Sequence, residues 1–186
     1  MAGIFLKLGP VQSAKTMIAL STVYNYKDRN QNVLLARPKR ERELEAVVES
    51  HVGISAPCIY VEDLVSMLDI DIKGYDCIVI DDCQYITKKE AERMVYIADV
   101  LNIPIVCYGL KTDYMGELFE GTKRLIEYAD KIEEIKAVCW CGHKATHNAA
   151  INDEGQIIRS KAQYEKAENI SFVGLCRKHF IEGNLG

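Results

Sequence analysis

Gly9-Pro10-Val11-Gln12-Ser13-Ala14-Lys15-Thr16 opens with glycine and closes with a Lys-Thr pair. It lies between an apolar run, Ile4-Phe5-Leu6-Lys7-Leu8, and a segment that reads as a helix from Thr16 to about Tyr26. Strand, loop and helix in this order make a phosphate-binding loop. Backbone N–H groups of the loop and the helix N-terminus present positive dipole ends to a polyphosphate. Lys15 would supply a mobile charge to β and γ phosphates, and Thr16 a hydroxyl to Mg²⁺. Ala14 stands where the pattern has glycine. A Cβ there strains the loop if positive φ is required and is harmless if helical φ suffices. The competing reading is an ordinary strand-to-helix turn.

Two more groups carry chemistry. Cys77-Ile78-Val79-Ile80 is an apolar run ending in Asp81-Asp82. An acid in that position after a phosphate loop holds Mg²⁺, directly or through water. The second carboxylate, Asp82, can face a reacting hydroxyl as a general base; otherwise the two acids simply end a strand in solvent. Cys139-x-Cys141 and Cys176-x-x-His179 are close pairs of soft ligands separated by a loop, which is the arrangement of a closed structural zinc site. His143 and His147 are assigned to the surface or a strand instead. Cys58, Cys77, Cys83 and Cys107 read as buried thiols, and the total of seven cysteines argues against a disulfide framework.

The elements that must position these residues alternate. Val33–Ala36 reads as a buried strand ended by Pro38, followed by a charge run from Lys39 to Glu45 that reads as loop and the start of a short helix. Ile59–Val61 is a third strand and Asp63–Leu68 a turn or two of helix. Lys88–Leu101 is an amphipathic helix with Ala91, Met94, Val95 and Ala98 on one face, and Pro104–Tyr108 is a buried strand ending at Gly109. Strands alternating with helices through short connections predict an α/β core with a parallel sheet and crossovers. The core is placed at residues 1–134. A second domain, 135–186, has too little apolar content to fold by burial alone and is expected to be zinc-ribbon-like.

With 186 residues, 48% hydrophobic and 27% charged, the chain fits one good-sized domain plus a small appendage. A net charge of -4 argues against a general binder of nucleic acid or anionic membrane. No apolar run approaches the roughly 20 residues of a membrane span. Met1-Ala2-Gly3 lacks the charged and apolar regions of a signal peptide, so a cytoplasmic protein is expected.

Taken together, Gly9…Lys15-Thr16, Asp81-Asp82-Cys83-Gln84-Tyr85, Tyr108-Gly109-Leu110-Lys111-Thr112-Asp113-Tyr114-x-Gly116-Glu117-Leu118-Phe119, Ala137-Val138-Cys139-x-Cys141-Gly142-x-Lys144-Ala145 and Leu175-Cys176-Arg177-Lys178-His179 resemble the zinc-containing thymidine kinases. The likeness runs nearly end to end and is strongest to bacterial and phage members, in a bacterial or infected-host cytoplasm. It implies transfer of the γ-phosphoryl of ATP to the 5′-hydroxyl of thymidine, with Mg²⁺, a structural Zn²⁺ and a homotetramer. By the same resemblance the loop Gly9–Thr16 serves phosphate, Thr16 and Asp81 serve the metal, and Asp82 occupies the place of a Glu general base. Gln84 and Tyr85 would stand next to the nucleoside, and Val11 and Leu110 would line the pocket around the thymine methyl. A lasso-like loop between the zinc pairs would close over the base, with Phe172 stacking on it.

The chain departs from the family at named positions. Ala14 replaces the loop glycine, and Asp82 is one methylene shorter than Glu. The lasso reads Lys166-Ala167-Glu168-Asn169-Ile170-Ser171-Phe172 in place of an Ile-Gly-Gly or Ile-Gly-Asp stretch followed by Tyr, and the Asp-x-Arg after the second strand becomes Glu41-Arg42. The alternative function is therefore a catalytically degenerate relative with a nucleotide-binding or structural role.

Overall fold

The computed structural model describes residues 2–39 and 45–186. The central sheet is built from β1 (Ile4–Leu8), β2 (Val33–Arg37), β5 (Ile59–Tyr60), β6 (Cys77–Ile80), β7 (Ile105–Gly109) and β8 (Lys131–Glu134), in the order β5-β2-β6-β7-β1-β8. Every pairing in it is parallel. Parallel strands put all their carboxyl ends on one edge, so the residues after Leu8, Ile80 and Gly109 converge there. β6 reads as a continuous apolar run because helices cover both sides of it.

Helix α1 (Lys15–Asp28) packs Ala19, Leu20 and Val23 on one face of the sheet against Leu35, Val79 and Tyr108. The other face carries α2 (Val61–Ser66), α3 (Asp69–Ile72), α4 (Lys88–Asp99) and α5 (Glu120–Tyr128), whose Leu64, Met94, Ile97 and Leu125 meet Ile4, Leu6, Ile78 and Ile105. α4 starts at a capping box: Thr87 Oγ1 accepts the Glu90 N–H, and Glu90 Oε2 accepts the Thr87 N–H at 2.6 Å.

The expected core elements are present, with shifted ends. α1 is a turn longer than the reading from Thr16 to Tyr26, and α4 stops at Asp99. Val61 begins α2 instead of ending the third strand, because Glu62 and Asp63 in the first turn favour a helix start there. Cys58 is half-buried, not buried, since it lies next to the short edge strand β5. Most of the charge run Lys39–Glu45, including Glu41-Arg42, lies outside the described residues. The hairpin of β3 (Val47–Glu49) and β4 (Ser55–Pro57), α3, α5 and the edge strand β8 had no counterpart in the sequence reading, nor did the individual strands and helices after Glu134.

After Glu134 the chain leaves the six-stranded sheet. β9 (Ala137–Val138) pairs with β10 (Lys144–Ala145), and β11 (His147–Ile151) with β12 (Ser171–Leu175), both antiparallel. α6 (Lys161–Lys166) lies in the loop between β11 and β12, and α7 (Arg177–Glu182) follows β12. Their small apolar cluster, with Cys139, Ala145, Ala149, Leu175 and Phe180, is separate from those flanking the sheet.

Candidate active site

The loop after β1 turns over the carboxyl edge of the sheet. Gln12 and Ala14 hold left-handed φ values of 61° and 60°, with Ser13 between them outside that region. Such an alternation points successive N–H groups into one concavity and makes an anion-binding nest. α1 begins immediately after it, with no acidic residue in its first turn and no side-chain cap. Ser13 is buried, and its hydroxyl donates to the Pro10 carbonyl at 2.8 Å. Lys15 Nζ donates to the same carbonyl at 2.6 Å and to Ser13 Oγ at 3.2 Å. Burial pulls the Lys15 ammonium down to about 8, although Asp82 and Asp81 oppose the shift.

Asp81 follows β6 and is only 3% exposed. Burial, then the neighbouring charge of Asp82, pushes its carboxyl up to about 6, while bonds from the Thr16 hydroxyl and the Asp82 N–H pull the other way. A hydroxyl and a carboxylate brought together at the nest are hard oxygen donors of the kind Mg²⁺ takes, so the residues fit that ion. Asp82 sits at φ 52°, ψ 34°, a left-handed conformation that aspartate tolerates better than most residues.

A cleft of about 490 Å³ runs past these groups, lined by Val11, Gln12, Ala14, Lys15, Thr16, Asp81, Asp82 and Leu110. Arg37, at the end of β2, and the β3–β4 hairpin, with Ser50 and His51, close its far side. None of these last three was picked out from sequence. Arg37 could have been, as a cation ending a buried strand beside the β6 acids.

Gly9 and Pro10 face a second cavity of about 220 Å³ on the opposite side of the loop. The other expected nucleoside neighbours stand outside the lining of the main cleft. Gln84 is buried beneath it. Tyr85 is half exposed and meets Phe119 edge-on at 5.5 Å. Phe172, on β12, is 39% exposed, and its carbonyl accepts from Gln12 Nε2 at 3.4 Å. Within the lasso, Tyr164 of α6 stacks on Tyr114 at 4.7 Å, which ties α6 to the loop after β7.

Asn148 of β11 joins the two parts of the site and is a residue the sequence reading missed. Its Oδ1 accepts the Val11 N–H at 2.8 Å, and its Nδ2 donates to the Thr112 carbonyl at 2.6 Å. Asn148 is itself 3% exposed, so the two bonds satisfy its buried amide while tying the loop after β1 to the loop after β7.

Cys139, Cys141, Cys176 and His179 come together, with their ligand atoms all within 4.8 Å of one another. The first pair sits in the tight turn between β9 and β10, where the Gly142 N–H donates to the Cys139 carbonyl at 2.8 Å. The second spans the start of α7, with Cys176 as its N-cap. Cys141 and Cys176 sulfurs are 4.0 Å apart, and Cys139 Sγ is 3.5 Å from His179 Nδ1. Four soft ligands around one tetrahedral zinc, at about 2.0–2.3 Å, are separated by roughly 3.5–3.8 Å. The cluster therefore fits a closed site of that type. Trp140 stacks on His179 at 4.4 Å and fixes the imidazole plane. His143 and His147 lie outside the four-ligand cluster, His147 packing instead on Phe180 at 4.7 Å.

A parallel sheet with an anion-binding nest after β1, an acid two strands away after β6 and a Cys3His cluster that could hold a metal ion define a phosphate-loop nucleotide-binding protein with an appended Cys/His lobe. The family model described as thymidine kinase matches residues 2–180, and the chain belongs to that family. Among curated relatives, the thymidine kinase of Zymomonas mobilis is 37% identical over 188 positions, covering 98% of this chain and 97% of its own. That of Pasteurella multocida is 35% identical over 191 positions, covering 98% of each chain. That of Haemophilus influenzae is 32% identical over 188 positions, covering 98% of this chain and 97% of its own. Among solved structures, Bacteroides Pif1 bound to single-stranded DNA overlays 72% of this chain and 38% of its own with a TM-score of 0.46 at 12% identity.

Proposed function

We propose that this protein is a thymidine kinase, moving the γ-phosphoryl group of ATP to the 5′-hydroxyl of thymidine. The observation that carries the reading is the convergence of Lys15, Thr16, Asp81 and Asp82 on one cleft, in a chain that belongs to the thymidine kinase family along nearly its whole length. The presence together of Lys15, Thr16, Asp81 and Gln84 favours an active enzyme over a degenerate relative.

The nest at Gln12–Ala14 and the first turn of α1 receive the phosphate oxygens. Lys15 exchanges its bond to the Pro10 carbonyl for the β and γ oxygens, which its charge then holds in place. Thr16 and Asp81 would hold Mg²⁺, which would supply positive charge to neutralise those oxygens. Asp82 takes the proton of the 5′-hydroxyl as the O5′–Pγ bond forms, while the bond from Pγ to its bridging oxygen breaks and ADP leaves. Val11 and Leu110 line the side of the cleft that receives the thymine, with Gln84 and Tyr85 behind it and Phe172 on the lasso above. Cys139, Cys141, Cys176 and His179 would hold a structural Zn²⁺, which would tie β9–β10 to β12 and α7, while Asn148 of β11 braces the loop at Val11.

The division into an ATP-binding unit, 1–134, and a zinc-binding lasso unit, 135–186, follows the point where the chain leaves the sheet. A cytoplasmic location and a homotetramer rest on the family alone. Among the described residues no helix is long and apolar enough to cross a membrane.

The experiment is a pair of substitutions at Asp82 assayed with ATP, Mg²⁺ and thymidine. Asp82→Asn keeps the shape, removes the basic carboxylate and is expected to lower kcat by about 100-fold or more. Asp82→Glu, the longer side chain of the family, is expected to keep or raise kcat. An Asn variant as fast as wild type would refute the assignment of the base.

A further inference from the structure

Gln84 lies in the segment that the family resemblance sets beside the nucleoside, yet its side chain is 2% exposed and engaged at both ends inside the protein. Nε2 donates to Oδ1 of Asp82 at 3.0 Å, and Oε1 accepts the Leu110 N–H at 2.9 Å. The two bonds fix the sense of the amide, because a flipped amide would oppose its own NH₂ to the Leu110 N–H.

The surroundings are cut to admit this side chain. A Cβ on Gly109 would lie 2.7 Å from Gln84 Oε1 and 2.6 Å from Cys83 Sγ. A Cβ on Gly121, in the first turn of α5, would lie 2.7 Å from the carbonyls of both Gln84 and Ile86. Any larger residue at either place would lift the turn Cys83–Tyr85, and with it Asp82, from its seat. The close approach of β7 and α5 to that turn is thus what brings the Gln84 amide onto Asp82.

The Gln84 amide aims one oxygen of Asp82. Asp82's second side-chain torsion joins sp³ to sp² carbon and has a broad, two-fold profile, so backbone geometry alone does not aim the carboxylate oxygens. It is also a methylene shorter than the Glu of the family, and a reacting group out of place by an ångström loses about 100-fold in rate. We propose that Gln84 is the positioning residue for the general base: it holds one oxygen of Asp82 so that the other is presented to the nucleoside hydroxyl, and it ties that oxygen to the end of β7, where Leu110 lines the same cleft. The proposal rests on the reading of Asp82 as the base.

Gln84→Glu tests it in the zinc-loaded enzyme, because it preserves shape and the acceptor for the Leu110 N–H while exchanging the donor that faces Asp82 for a carboxylate oxygen that repels it. The expected result is a fall in kcat of about tenfold or more, a fraction of what a general base contributes. KM for thymidine and for ATP should stay within about twofold, the pattern of a group that acts only in the transition state. Zinc content and thermal midpoint check that the variant is folded; should it unfold, Gln84→Met, of similar volume, is read by the same split. An unchanged kcat would overturn the proposal. So would a loss of kcat matched by a rise in KM for thymidine, which would make Gln84 a direct nucleoside contact. Asp82→Asn turning over at the wild-type rate would instead remove the base reading underneath, so the two failures are distinct.

Discussion

Ala14→Gly is expected to stabilise the protein while leaving its handling of ATP almost unchanged. Ala14 occupies φ 60°, ψ 23° at the N-cap of α1, the left-handed region in which its Cβ crowds the following carbonyl. That conformation costs a non-glycine L-residue about 1–2 kcal/mol. Glycine relieves it but loses more backbone freedom on folding, about 0.5–1 kcal/mol. The Ala14 methyl is exposed, so removing it forfeits little burial. The net gain spans about 0–1.5 kcal/mol, with a central value of about 0.75 kcal/mol that for a chain of 186 residues raises Tm by roughly 1.5–3 °C. Thermal unfolding of zinc-loaded wild type and variant, side by side and without nucleotide, measures it. KM for ATP is expected to stay within about twofold, since Ala14 already holds the nest in shape. An unchanged or lowered Tm would refute the strain. A manyfold drop in KM would show that the wild-type loop lacks the phosphate-binding geometry described above.

Two other outcomes follow from the same structure. Purified protein never exposed to chelator should contain about one zinc per chain, and stripping it should lower Tm, since a closed four-ligand site contributes directly to folding; a stoichiometry near zero rules the site out. Asp81→Asn should stabilise the protein at pH 8 but abolish Mg²⁺-dependent turnover. The Asp81 carboxyl stands at about 6 instead of 3.8, which at neutral pH disfavours the folded state by an amount on the order of 3 kcal/mol, before the loss of its two hydrogen bonds is subtracted. Because its folded value is raised, wild type has this stability in full below about pH 4 and loses it as pH rises through about 6. The advantage of the Asn variant in denaturant titrations should therefore shrink toward pH 5, and a pH-independent difference would contradict the shift.

The candidate site was legible where it is encoded locally. The loop Gly9–Thr16, the acids ending β6 and the two Cys/His pairs each occupy a few consecutive residues with characteristic spacing, and the structure brings the four Cys/His ligand atoms together and sets most of the loop and both acids along one cleft. The helical period of Lys88–Leu101 and the apolar runs of β1, β6 and β7 carried the parallel core. What escaped has no such period. β3 and β4 are three residues each, the edge strand Lys131–Glu134 has three charged residues of four and none of them buried, and α6 buries none of its residues. α5 contains Gly121, which lowers helix propensity but is needed for close packing on the Cys83–Tyr85 turn. Asn148 and Gln84 act through bonds to residues 137 and 26 positions away, which no local pattern reports.

Incubation with γ-labelled ATP, Mg²⁺ and thymidine, followed by chromatographic identification of the labelled product, tests the central claim most directly. The account predicts label in thymidine 5′-monophosphate for wild type, and its loss in Lys15→Ala with zinc content and Tm preserved, since Lys15 acts as a charge on the transferring phosphate. ATP that binds without passing its label to thymidine, or a Lys15→Ala variant with most of the wild-type turnover, would contradict it.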